Sequence, residues 1–179
     1  MLEKGDLLLR PSREEDLDGM WYRWFNNKEI TKYQNKGIFP NTREKQKEYM
    51  MQMQKSTTDV LFAIVKKDID FHIGCVGIHN IDWLHRSGMI GIIIGDKSYW
   101  NRGYGKLAWN MITQYGFFTL NLHRLWANIF KENEASIKVA QASGFKIEGT
   151  VRHMYYKNGK WHDAVLVSLL KDEFKEVKL

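Results

Sequence analysis

The 179-residue sequence is poor in the residues and patterns that mark several large protein classes. It has one cysteine, Cys75, so no internal disulfide can form, and a reducing compartment is implied. No apolar run approaches the roughly eighteen residues of a membrane-crossing helix. The opening residues Met1–Asp6 lack the apolar stretch of a signal peptide, so the expected location is cytoplasmic. Like charges never cluster in a run of about five or more, which argues against a nucleic-acid-binding arm. The histidines form no His-x-x-x-His pair and have no cysteine neighbours, so no metal site is expected. With two prolines and no linker, repeat or low-complexity stretch, the chain reads as a single domain over 1–179.

What is present fits a soluble globular protein, with 44% hydrophobic and 27% charged residues. The formal charge of +6 favours anionic ligands. Periodicity divides the chain into alternating elements. Leu7–Arg10 reads as a strand. Ser12 and Glu15 suggest a capping box for a helix whose face carries Leu17, Met20, Trp21, Trp24 and Phe25. After a polar and aromatic loop, Asn41 and Glu44 mark a second helix running to about Lys55. Val60–Lys66 and His72–Ile81 read as a strand hairpin, and Met89–Ile94 as a strand buried on both faces. A helix from Gly105 to about Leu120 follows, then a strand Arg124–Phe130. Asn133 caps a short helix that ends at Gly144. Phe145–Tyr156 and Trp161–Leu170 are strands joined at Asn158-Gly159, a strong hairpin signal. The order β-α-α-β-β-β-α-β-α-β-β is that of a mixed α/β sheet.

The stretch Ile90–Ala108 carries the strongest functional signal. An apolar strand ends at Gly95-Asp96, and Arg102-Gly103-Tyr104-Gly105-Lys106 then opens a helix. A glycine turn at a helix start presents free N–H groups and the positive end of the helix dipole, a natural phosphate site. Gly103-Tyr104-Gly105-Lys106-Leu107-Ala108 fits G-x-G-x-x-A, but Asp96–Arg102 separates it from its strand, and no acid ends the next strand before Glu132. Both features weigh against a dinucleotide fold. Trp100 stands where a Walker loop needs glycine, and Leu107 follows the lysine where serine or threonine is required.

Gly95-Asp96-x-x-Tyr99-Trp100-x-x-Gly103-Tyr104-Gly105 resembles motif A of the GNAT superfamily of acyl-CoA-dependent N-acetyltransferases, most closely its RimJ/RimL group. Leu9-Arg10 with Asp16, the segment Trp24–Ile30, Asn133–Ser136, Gly144-Phe145, Glu148-Gly149 and Asp163 resemble further pieces of that group in order. The resemblance implies a GNAT-type mixed, mostly antiparallel twisted sheet of about seven strands with a central splay, flanked by about four or five helices. It implies acetyl-CoA as co-substrate and direct acetyl transfer to a primary amine, on a protein or peptide N-terminus, an amino sugar or another small amine. The pantetheine arm would bond the backbone at Ile92, Ile93 and Ile94. The pyrophosphate would sit on Trp100, Asn101, Arg102, Gly103, Tyr104, Gly105 and Lys106, with Asn128 and Asn133 as further contacts.

Amine acetylation needs a base for the amine, a donor for the thioester oxygen and a donor for the departing thiolate. Where a thiol-side tyrosine is often found this chain has Ala140, and the resemblance points instead to Ser136. Met89 occupies the place of a glutamate base, which leaves His79, Asp82 and Asp163 or a water chain, with His79 preferred because its ordinary pKa is near neutrality. Cys75, in the strand around Gly74–Gly77, reads as a buried structural residue. The acceptor is expected to meet Trp24, Asn26, Asn27, Tyr33 and Tyr156, with Tyr155 nearby. The missing glutamate and tyrosine also suit a non-catalytic acyl-CoA-binding or regulatory module of the same fold. No nucleic-acid or membrane partner is expected, and the assembly is expected to be a monomer or homodimer.

Overall fold

The computed structural model describes residues 1–175. Eight strands form one sheet in the order β1-β2-β3-β4-β5-β6-β8-β7. The strands are β1 (Leu2–Lys4), β2 (Leu7–Pro11), β3 (Val60–Lys66), β4 (Phe71–Asp82), β5 (Ser87–Ile94), β6 (Arg124–Phe130), β7 (Lys146–Lys157) and β8 (Lys160–Leu170). The helices are α1 (Trp21–Trp24), α2 (Arg43–Lys55), α3 (Tyr104–Phe118) and α4 (Glu134–Ala142). The mixed α/β architecture is the expected one. β1 is the added strand: it turns through Gly5 at φ +57 and pairs with β2, but three residues are too few to show a period.

Each face of the sheet has its own core. On one face α3 packs Ala108, Trp109, Met111 and Ile112 against Val76, Ile78, Ile90 and Leu125. On the other, Leu17, Trp21, Trp24, Phe25 and Met50 cover Cys75, with Leu61 and Ile93 packed against them. Successive side chains of β5 alternate between these faces. Ile90 is buried in the α3 core, whereas Met89, Gly91 and Ile93 stay half-exposed toward the second face. β5 is therefore not buried on both faces as its composition suggests, because its second face borders a cavity.

The first helix differs most from the sequence reading. A 3-10 turn, Glu14–Leu17, and the single turn α1 replace one long helix. The Ser12–Glu15 capping box is not formed: the Arg13 N–H donates to Asp16 Oδ2 at 2.8 Å, so Asp16 closes the turn. Asp16 is held there by Arg10, whose two guanidinium nitrogens donate to it at 2.7 and 2.8 Å. Both side chains are almost wholly buried. At α2 the cap is Thr42, while Asn41 donates to the carbonyl of Tyr22 and to Gln46 Oε1. Other local signals match the fold: Asn133 Oδ1 accepts from Ser136 N, Gly144 takes φ +90 after α4, and Asn158-Gly159 turns β7 into β8 with both φ positive.

All neighbouring strands are antiparallel except β5 and β6. Those two pair in parallel only from Ser87↔Arg124 to Met89↔Trp126. Beyond Met89 the strands separate, and β5 continues on β4 while β6 continues on β8. The resulting wedge, between Ile90–Ile94 and Ala127–Phe130, positions the candidate site.

Candidate active site

A strand that leaves its neighbour exposes the backbone groups that would have paired with it. Along β5 two such groups are the carbonyls of Ile92 and Ile94. Gln34 Nε2 donates to Ile92 O at 3.1 Å and Trp100 Nε1 to Ile94 O at 2.8 Å. Side-chain donors thus occupy the places where an extended ligand would donate. Across the wedge Asn128 carries a buried Oδ1 without a partner. A buried amide oxygen left unpaired costs roughly 1–3 kcal/mol, so it suits a ligand N–H. The Asn128 carbonyl accepts from Tyr155 OH at 3.1 Å, and Tyr155 stacks on Phe130 with centroids 4.2 Å apart. Tyr33 approaches Phe130 from the loop at 5.8 Å.

The glycine turn lies at the open end of β5. Asn101 and Gly103 take φ +58 and +84, and α3 begins at Tyr104. The first intrahelical bond is Leu107 N–H to Gly103 O, so the N–H groups of Tyr104, Gly105 and Lys106 precede any helical acceptor. A Cβ on Gly103 would meet nothing within 4 Å, which leaves the turn open to approach. Arg102 is exposed, its guanidinium 6.0 Å from the Tyr99 ring. Two residues expected in this anion site are committed elsewhere. The Trp100 N–H closes the preceding 3-10 turn on Lys97 O, and Tyr104 OH donates to Asp6 at 2.9 Å. Only the backbone of Tyr104 is open to a ligand, and the free amides start after Trp100. Asn133 Oδ1 is likewise used by its helix cap, and Ser136, half-buried in the first turn of α4, gives its N–H to that cap.

Beside the wedge, on the second face, is a cavity of about 240 Å³. Trp21, Phe25, Leu61 and Ile93 supply apolar wall, and Gln34, Lys36, Tyr49 and His79 supply the polar groups. His79 lies across two cross-strand glycines, Gly77 and Gly91. A Cβ on either would come within 3.1 Å of the imidazole, so the two glycines let the ring lie close over the sheet. Its Nδ1 is 3.1 Å from Asp59 Oδ1. A carboxylate only accepts, so the assigned tautomer has the proton on Nδ1 and the lone pair on Nε2. Burial pushes Asp59 up, but Ser56 Oγ, Thr58 Oγ1, Asn80 N–H and His79 outweigh it and hold the carboxyl below its ordinary value. Burial also lowers His79, as does the Lys36 charge, against the pull of Asp59; the imidazole is therefore neutral near pH 7.

Of the other sequence candidates only Cys75 touches the cavity wall. Trp24 is buried edge-on to His72 and lies over Gly95, where a Cβ would come within 1.9 Å of its ring. Asn26 exchanges two 2.8 Å bonds with the Asn41 backbone, and Asn27 Oδ1 caps the turn at Glu29 and Ile30. These asparagines shape the loop rather than face a ligand. Tyr156 is exposed on the outer hairpin against Trp161; its neighbour Tyr155 is the one that reaches the wedge. Asp82 accepts from His85 N–H in a turn, and Asp163 from His153 N–H beside Lys131. Cys75 is buried, and burial drives its thiol up, so it is no thiolate nucleophile. Gln34, Lys36 and Asp59 give no signal in the sequence, since loop residues of mixed polarity have no period, and Tyr49 reads there only as part of the weak apolar face of the second helix. The glycines flanking His79 are the signal that was available, because isolated strand glycines mark close approach.

Among the described residues no group of three or more His, Cys, Asp or Glu is placed to hold a metal ion, and no helix is long and apolar enough to cross a membrane. Residues 6–146 match the family model described as an acetyltransferase (GNAT) domain. The chain is 34% identical to an uncharacterised N-acetyltransferase, p20, of Bacillus licheniformis, over 94% of each chain. It is 31% identical to the spermidine N(1)-acetyltransferase of Escherichia coli (strain K12), over 56% of this chain and 54% of that one. In fold it resembles the spermidine N-acetyltransferase from Vibrio cholerae in complex with CoA and spermine, with a TM-score of 0.85, 23% identity and coverage of 94% and 97%.

Proposed function

The chain belongs to the GNAT acetyltransferase family and transfers acetyl groups from acetyl-CoA to amines; from that premise we propose how its own residues carry the reaction. The observation that carries the reading is the β5–β6 wedge opening beside a cavity that contains a neutral, carboxylate-held imidazole. In this reading the chain is one catalytic domain, acts in the cytoplasm and falls in the RimJ/RimL-like group. The acetyl-CoA site is the wedge and the glycine turn. Ile92 and Ile94 offer backbone groups once Gln34 and Trp100 yield them, Asn128 offers its unpaired Oδ1, and the amides leading into α3 take the pyrophosphate.

Acetyl-CoA, when bound, supplies the thioester carbonyl that an amine attacks. His79 Nε2 takes a proton from that amine, and Asp59 keeps the ring in the required tautomer and stabilises the imidazolium. Ser136 stands as the thiol-side donor, at the start of the helix that follows β6. The acceptor is a primary amine small enough to enter the cavity, or the end of a peptide.

The test is thiol release from acetyl-CoA with a panel of primary amines. Release with at least one amine is expected. Asn128→Leu is expected to raise KM for acetyl-CoA about tenfold, the loss of one buried hydrogen bond. Tight CoA binding with no release from any amine would refute the reading.

A further inference from the structure

Among the described residues the wall of the cavity beside β5 carries one cation and no carboxylate. Lys36 lines it, with its ammonium 3.4 Å from the Tyr49 ring centroid and 5.1 Å from that of Phe25. Neighbouring lysines are satisfied: Lys97 pairs with Glu29, and Lys157 Nζ donates to the carbonyls of Thr31 and Gln34. Among the described residues no acid and no hydrogen-bond acceptor engages Lys36, only ring faces. It is also reachable, for Lys36 as a residue is exposed, and only its ammonium end is shielded, by the Tyr49 and Phe25 rings. The loop that leads to it is tied by Lys157, whose Nζ holds the carbonyls of Thr31 and Gln34, and the ammonium itself rests on the Tyr49 and Phe25 rings.

We propose that the acetyl acceptor is a small amine that also bears a carboxylate, and that Lys36 binds that carboxylate. The proposal rests on the N-acetyltransferase reading of the same site. A single ammonium matches a monoanion; a phosphate dianion would call for further charge or an amide nest, which the cavity wall lacks. The volume of about 240 Å³ lies just below the roughly 300–1,000 Å³ of drug-sized ligand sites, which suits a small acceptor. Trp21, Phe25, Leu61 and Ile93 suit an apolar side chain on that molecule. A polyamine fits poorly, because no wall carboxylate would receive its second ammonium and Lys36 would repel it.

The arrangement also couples binding to chemistry. Burial pulls the Lys36 ammonium down to about 8, so pairing with an anion keeps it charged. The Lys36 charge in turn disfavours protonated His79. A carboxylate seated on Lys36 offsets that effect and makes His79 a stronger base when the acceptor is in place.

The test separates binding from turnover. Calorimetric titration of the CoA-loaded enzyme would compare N-acetylglycine, N-acetylleucine and N-acetylphenylalanine, each with its primary amide. At least one acid is expected to bind tenfold or more tightly than its amide, the scale of one charge-assisted hydrogen bond. That preference is expected to vanish in Lys36→Met and persist in Lys36→Arg. No acid outbinding its amide, or a preference that survives Lys36→Met, would overturn the proposal. Thiol release with leucine, leucinamide and spermidine is the second measurement. Leucine is expected to exceed leucinamide, and preferential acetylation of spermidine would overturn the proposal while leaving the enzyme reading intact. Absence of release from every amine would count against the enzyme reading, with the acid–amide comparison still deciding the role of Lys36.

Discussion

If His79 is the base, its charge environment sets the acid limb of activity, and three variants should move that limb in different ways. The imidazole must be neutral to accept a proton, so kcat/KM rises with pH through the His79 pKa. Burial and Lys36 place that pKa below the ordinary histidine value of 6.5, and Asp59 holds it from falling further. His79→Gln removes the base and is expected to lower kcat/KM by about 10²- to 10⁴-fold, about 2.7–5.5 kcal/mol of barrier. Asp59→Asn keeps the shape. Its amide oxygen can still accept from His79 Nδ1 and Asn80 N–H, while its NH₂ group meets the hydroxyls of Ser56 and Thr58. What disappears is the charge. The pair is 3.1 Å apart with both side chains 20% exposed, so the loss is on the order of 1.5–3 kcal/mol. That lowers the His79 pKa further and, through the weaker base, the rate by up to about 10- to 100-fold. Lys36→Met removes a like charge and moves the limb the other way, to higher pH. The assay is thiol release against pH with one acceptor throughout, so that the amine's own ionisation is common to all variants. Activity of His79→Gln within about twofold of the parent, or limbs of Asp59→Asn and Lys36→Met that shift in the same direction, would refute the assignment.

Two further outcomes concern stability. His72 is wedged edge-on between Trp21 and Trp24, and burial lowers its pKa to about 4. The unfolded chain therefore binds the extra proton first, and stability falls as pH drops through 6.5. Urea unfolding should show a loss of about 2 kcal/mol from this group between pH 7 and pH 5, and His72→Gln should flatten the dependence by that amount. Arg10→Met strands the buried Asp16 carboxylate and is expected to cost about 3–5 kcal/mol in chemical denaturation, whereas Arg10→Met with Asp16→Leu should recover much of it. A single variant as stable as the parent would show that the pair contributes nothing.

Part of this protein is written locally in its sequence. The turn at Asn158-Gly159, the Asn133 cap, the Gly144 stop and the positive φ at Gly103 follow from interactions within a few residues, where conformational preference and one hydrogen bond decide the backbone. The same locality makes the glycine turn legible as a candidate anion site, and the ordered motifs around it point to the family. The first helix failed as a local reading because Asp16 is claimed by Arg10, and Arg10 reaches it from the adjacent strand. The strand around Ile92 reads as uniformly apolar, yet the sheet gives one of its faces to a cavity and one of its edges to the wedge.

The side-chain pairs of the candidate site exist only in the tertiary structure. His79 meets Asp59 across 20 residues, and Gln34 reaches Ile92 across 58. Neither distance has a period that a sequence pattern could carry, since strand register and loop closure determine who faces whom. Met89 stands where the resemblance implies a carboxylate, and the residue directly across from it in the β4–β5 register is His79, the base in the proposed reading. Lys36 gives no sign in the sequence, being one lysine among many. It differs only in that folding brings it to an aromatic wall without an acid.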